Sequence, residues 1–98
     1  MSKKVNIAVQ LIPVTDPGNM YKVIDKVIEI IEHSGVNYMV CPFETVMEGP
    51  YEELMSIIKK MQDTCFNAGA PELIMNLKIH MASEYDVRIE DKMVNYLN

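Results

Sequence analysis

Arginine is almost missing from this chain. Arg88 is the single arginine among nine cations, which face fourteen acids for a formal net charge of -5. Recognition of a phosphate backbone needs clustered Lys and Arg to displace counterions, so nucleic acid is not an expected partner. Cysteine is also scarce. Cys41 and Cys65 show no CxxC spacing and no adjacent histidines, which points to free thiols rather than a disulfide framework. His33 and His80 stand alone, and a zinc centre needs about four ligands close together. No apolar run approaches the ~20 residues that a membrane span requires. The opening MSKKVNIAVQL pairs two lysines with an apolar stretch, but that stretch includes Asn6 and Gln10 and has no small-residue cleavage site. A signal peptide is therefore not expected, and the expected location is cytoplasmic.

Catalytic signatures are lacking as well. There is no nucleophile elbow, glycine-rich phosphate loop or HExxH. An acylphosphatase would want an early arginine to cradle phosphate, and Arg88 is far too late.

What remains is a chain of 98 residues with 49% apolar content and no repeat or low-complexity tract. One domain with a small core is expected. Residues 4–14 alternate, with Val5, Ile7, Val9 and Leu11 on one face and Asn6, Ala8, Gln10 and Ile12 on the other. That period predicts a strand with one buried face. TDPGN reads as a loop. From Met20 to His33 the period becomes helical, with Val23, Ile24, Val27, Ile30 and Ile31 in the stripe and Ser34-Gly35 as the stop. VNYMVC and FETVMEG, divided by Pro42, predict two strands in a hairpin or bent ribbon. Pro50 suits the first position of a second helix that carries Leu54, Ile57, Ile58, Met61 and Cys65. Residues 72–82 alternate again, and a short terminal helix uses Ile89, Met93, Tyr96 and Leu97. The order β-α-β-β-α-β plus a C-terminal helix predicts an α+β, ferredoxin-like sandwich, with two helices on one face of a four-stranded antiparallel sheet.

The other sheet face then carries Asn6, Ala8, Gln10 and Ile12; Asn37, Met39 and Cys41; Glu44, Val46 and Glu48; and Ile74, Asn76, Lys78 and His80. It is neither fully polar nor fully apolar. Such a face suits contact with a second subunit, which predicts self-association. Glu44 and Glu48 would be partly desolvated there and need a partner, such as Lys78, or a ligand. Thr45 and Met47 point toward the helices, as does Tyr38.

Several stretches, VNIAVQLIPV, IEHSGVNYMVCPFETVMEG, LKIHM and RIEDKMVNYL, carry a family resemblance. Together they resemble the thiamine-binding, or thiamine-pyrimidine-binding, family of small proteins, from about Val5 to Leu97. The most specific parts are Ser34-Gly35 with Tyr38, Pro42 to Gly49, and Ile89 to Lys92. Many members have Gly where this chain has Glu44. The resemblance implies a ferredoxin-like fold, sheet-to-sheet dimers that pair into a homotetramer, and binding of thiamine or its hydroxymethylpyrimidine half without chemistry or a cofactor. A carboxylate can pair with the aminopyrimidine edge, a second can offset the thiazolium charge, and an aromatic face can add cation–π attraction of about 0.5–2 kcal/mol. Glu48, Glu44 and Thr45 are the main ligand candidates, followed by Phe43, Tyr38 and Asn76. Two other readings compete: a structural or regulatory oligomer whose acids pair between subunits, and an enzyme using Cys41 with His80.

Overall fold

The computed structural model describes residues 3–96. Seven elements follow in order: β1 (Lys4–Val14), α1 (Pro17–Glu32), β2 (Asn37–Val40), β3 (Thr45–Pro50), α2 (Tyr51–Asn67), β4 (Glu72–His80) and α3 (Ile89–Met93). The strands form one sheet in the order β2-β3-β1-β4, with each neighbouring pair antiparallel. This is the expected ferredoxin-like arrangement. The alternating face of β1 is buried as predicted, with Val5, Ile7 and Val9 packed on Val23, Val27 and Ile31 of α1 and on Leu54, Ile58 and Met61 of α2.

Local chemistry shifts several boundaries. Helix α1 begins at Pro17, inside the stretch read as a loop. Proline has its φ preset for the first helical turn and loses no bond there, and the Asp16 carbonyl accepts from the amides of Asn19 (2.8 Å) and Met20 (3.1 Å). Gly35 takes a φ of +84°, the left-handed conformation foreseen after α1. Pro50 closes β3 and caps α2, which starts one residue later than expected. The β2–β3 connection is a tight hairpin, closed by the Cys41 amide donating to the Glu44 carbonyl at 2.9 Å with Pro42 at the second position. Glu44 therefore sits at the turn rather than inside the strand. Gly49 lies where α2 packs close to the sheet: a Cβ there would make ordinary contacts with Leu54 Cδ2 at 3.4 Å and Val36 Cγ1 at 3.7 Å.

Strand β4 departs most from its pattern. Leu77 and Ile79 lie on the face expected to be buried, yet they are 37% and 41% exposed. β4 is the sheet edge, so α2 covers its first half through Leu73 and Met75 and leaves the second half uncovered.

The chain after β4 returns across the open face. Asp86 Oδ1 accepts from the Lys4 amide at 2.8 Å, and the Val87 amide donates to the Lys4 carbonyl at 2.9 Å. These contacts use the part of β1 that β4 no longer reaches, since the β1–β4 register ends at Asn6–His80. Asn6 Nδ2 then donates to the Val87 carbonyl at 3.1 Å. The Ile89 amide, at the start of α3, donates to Glu48 Oε1 at 2.6 Å, while Asn37 Nδ2 donates to Oε2 at 3.1 Å. Within this strap, Val87 and Ile89 are buried. In α3, Met93 is half-buried and Tyr96, just beyond it, is exposed; Leu97 lies outside the described residues.

Burial opposes ionisation of Glu48. The bonds from Ile89 and Asn37, the nearby Lys4 charge and the Asn6 amide outweigh it, and hold the carboxyl below its ordinary value of 4.5. A depressed folded-state pKa means that the unfolded chain binds the proton first. The resulting stabilisation is complete above the ordinary value and is lost as pH falls below 4.5 through the folded value. Glu48→Gln should cost about 1–3 kcal/mol at neutral pH and should lose part of that acid dependence. Urea denaturation of both proteins at successive pH values checks this. Parallel pH profiles would show that the carboxylate does not hold the strap.

The two thiols give a second check. Cys65 is fully buried on α2, and burial pushes its pKa up; Cys41 is half-buried at the hairpin. Native alkylation should label Cys41 and spare Cys65 until the chain unfolds. Faster labelling of Cys65 would mean that α2 presents the wrong face to the core.

Candidate functional site

The open face carries the residues that alternation placed there. Strand register sets Asn6 between Glu48 and His80, Ala8 between Val46 and Lys78, and Gln10 beside Asn76. Asn76 Nδ2 donates to Gln10 Oε1 at 3.1 Å.

A cavity of about 350 Å³ lies on this face beside α3, which is within the usual range for small-molecule sites. Ala8, Met39 and Val46 contribute its sheet side, and Ile89 and Met93 come from α3. Cys41 and Glu44 enter from the hairpin, Lys78 and His80 from β4, and Lys92 from α3. The Glu44 carboxylate is 3.5 Å from the Lys78 ammonium, the pairing anticipated for one of the two acids. Because Lys78 is 79% exposed, this ion pair holds weakly and can be exchanged for a ligand group.

Asn6 borders the same cavity and is 3% exposed. Its Nδ2 faces the Val87 carbonyl and the Glu48 carboxylate. Turning the amide over would set Oδ1 against those two acceptors, so its orientation is fixed. Oδ1 is then buried with no hydrogen-bond partner among the described residues. An unmet buried acceptor costs roughly 1–3 kcal/mol and rewards a donor brought to it.

The structure sorts the sequence candidates. Glu44 lines the cavity beside α3, and also two neighbouring hollows. Phe43 and Asn76 share one of those hollows with Glu44 and Lys78, and Phe43 is 82% exposed at the hairpin tip. Thr45 is buried on the helix side and lines the other hollow, between α1 and the hairpin. Tyr38 packs against the core. Glu48, the first candidate from sequence, lines none of these three spaces, and both its oxygens accept hydrogen bonds from the protein itself. The reason is the strap: the Ile89 amide, 41 residues away, occupies the carboxylate. Cys41 and His80 do border one cavity, but Cys41 Sγ lies 3.9 Å from the Met39 carbonyl and makes no hydrogen bond to His80.

Sequence reasoning placed Asn6 on the open face but missed Ile89, Lys92 and Met93 as cavity residues. The 89/93 spacing marked a helix face, but its position over the sheet depends on contacts too distant in sequence to read from spacing.

Comparison with known proteins identifies the family. The family model described as "Thiamine-binding protein" matches residues 7–97. A UPF0045 protein from Clostridium perfringens is 38% identical over 91 residues, covering 93% of this chain and 95% of that one. The solved structure of a domain of unknown function, DUF77, from Bacillus cereus superposes with a TM-score of 0.94 at 36% identity, covering 100% of this chain and 94% of its own. A Thermotoga maritima protein, proposed to act in thiamine biosynthesis or salvage, superposes with a TM-score of 0.88 at 30% identity, covering 96% of this chain and 99% of its own. The chain belongs to the thiamine-binding protein family.

Proposed function

We propose that this protein binds thiamine or its hydroxymethylpyrimidine half in the cavity beside α3, without transforming it. One observation carries the reading: a mostly apolar cavity of about 350 Å³ holds a single carboxylate, Glu44, on an exchangeable ion pair. A flat heterocycle packs between Ala8 and Val46 on the sheet and Ile89 and Met93 on α3. Glu44 leaves Lys78 to face the thiazolium or the amino edge of the pyrimidine, and a donor from that edge relieves the unmet Asn6 acceptor. Phe43 and Asn76 extend the site along the sheet, while Thr45 and Tyr38 support the hairpin from the core side. Glu48 acts at one remove, by fixing α3. The family's name and the thiamine-related assignment of the Thermotoga maritima relative support the choice of ligand.

Calorimetry on the pure protein tests this directly. Both thiamine and hydroxymethylpyrimidine should bind. Glu44→Gln should weaken thiamine by about 1–3 kcal/mol, the scale of a charged hydrogen bond, and should weaken the uncharged half less. Absence of binding by either compound would end the proposal.

The same reading includes self-association. Beyond the strap, the open face leaves Ile12 and Ile74 exposed, and the β4 edge leaves Leu77 and Ile79 exposed. Apolar surface on a free sheet face and edge is suited to a second copy. Light scattering at micromolar concentration should give a dimer or tetramer. An 11.2 kDa species would refute it.

A further inference from the structure

The charge around the cavity beside α3 is not that of a site for a lone cation. Lys78 and Lys92 border it against one carboxylate, Glu44, with His80 alongside. Counting only the groups that line the cavity, with His80 neutral and with the Glu48 carboxylate engaged by Ile89 and Asn37 behind the wall, two positive groups and one negative leave +1. A thiazolium ligand raises that to +2 in a space of about 350 Å³. Water solvates the exposed ammonium groups of Lys78 and Lys92, but a thiazolium held between Ala8, Val46, Ile89 and Met93 gains nothing from them and is repelled by them. The bare pyrimidine alcohol brings no charge and leaves the two lysines unused.

The cations are also available. The ion pairs among the described residues are Lys59–Asp63, Lys78–Glu44 and Arg88–Asp86. Lys92 is in none of them, although it stands in an acidic chain and next to Glu90 and Asp91. Lys78 shares its only carboxylate at 3.5 Å, a loose contact. Lys78 and His80 lie two residues apart on β4, hence on the same sheet face, and α3 brings Lys92 to the same cavity.

We infer that the preferred ligand is a phosphate monoester of the heterocyclic alcohol, with its phosphate held by Lys92, Lys78 and His80. This deepens the thiamine-type reading and rests on it for the heterocycle. A phosphate monoester carries about -1.5 to -2 at neutral pH and presents three strong acceptor oxygens. It brings the site with a thiazolium close to neutral. It also separates the two functions of the cavity, with Glu44 and the apolar walls taking the ring and the β4–α3 cations taking the phosphate.

The test is a calorimetric comparison of thiamine, thiamine monophosphate, hydroxymethylpyrimidine and its monophosphate, with inorganic phosphate as a separate probe. Each phosphorylated compound should bind at least about tenfold tighter than its parent alcohol, the value of one charged hydrogen bond. The preference should shrink with added salt. Lys92→Gln should remove most of it, so that each monophosphate binds about as tightly as its parent alcohol does to the same variant; Lys92 is exposed on α3, so the fold should tolerate the change. Lys78→Gln is the second variant. Equal binding of alcohol and phosphate would overturn the inference and leave the thiamine reading intact. Binding of inorganic phosphate that competes with nothing thiamine-like, and is lost in Lys92→Gln, would support the anion site and overturn the heterocycle. A phosphate preference that survives in both lysine variants would overturn the assignment to these residues. No binding by any probe would overturn both.

Discussion

The cavity depends on one hydrogen bond, from the Ile89 amide to the Glu48 carboxylate at 2.6 Å. Two helices cover one face of a four-stranded sheet, and the other face has no cover of its own. Glu48 projects from β3 on that side and takes the first amide of α3, while Asn37 of β2 steadies its second oxygen. Together with Asn6 and Lys4 on β1, it turns a flat sheet into a sheet with a wall. A carboxylate at a helix start is favourable through the orphan amides there. Here it also fixes where Met93 and Lys92 stand over Ala8 and Val46.

The arrangement divides labour between two acids four residues apart in one segment. Glu48 is inward, satisfied and structural; Glu44 is at a hairpin turn, loosely paired and free to change partner. Their difference arises from position alone. Glu48 is beneath the strap, whereas Glu44 follows Pro42-Phe43 where the hairpin turns back and solvent screens its lysine.

Much of the fold was legible because it follows from short-range periodicity. Val5, Ile7 and Val9 alternate, Val23, Val27 and Ile31 recur at helical spacing, and Gly35 marks a stop; each signal lies within a few residues. The start of α1 at Pro17 was hidden because a proline-glycine pair reads as a turn until the helix behind it is known. The exposure of Leu77 and Ile79 was hidden because alternation gives a face but not how far a helix reaches along it. Of the cavity, the open-face residues Asn6, Ala8, Met39, Cys41, Glu44, Val46, Lys78 and His80 were legible from strand parity. Glu48's actual partner, and the placement of Ile89, Lys92 and Met93, were not, because nothing local specifies which strand residue meets an amide 41 positions later.

The strap also bears on the order of folding. Its contacts with β1 join residues 81 and 82 positions apart, Asn6 with Val87 and Lys4 with Asp86. Closing so long a loop costs entropy before any contact rewards it. The sheet and its two helices can assemble around nearer partners, and the strap can seat only on a surface they have already built. The cavity's α3 wall is thus completed after the body of the protein has formed. A chain whose sheet is misregistered by even one residue turns Asn6 and Glu48 to the other face, loses both anchors, and so displays its error as a missing wall of the cavity.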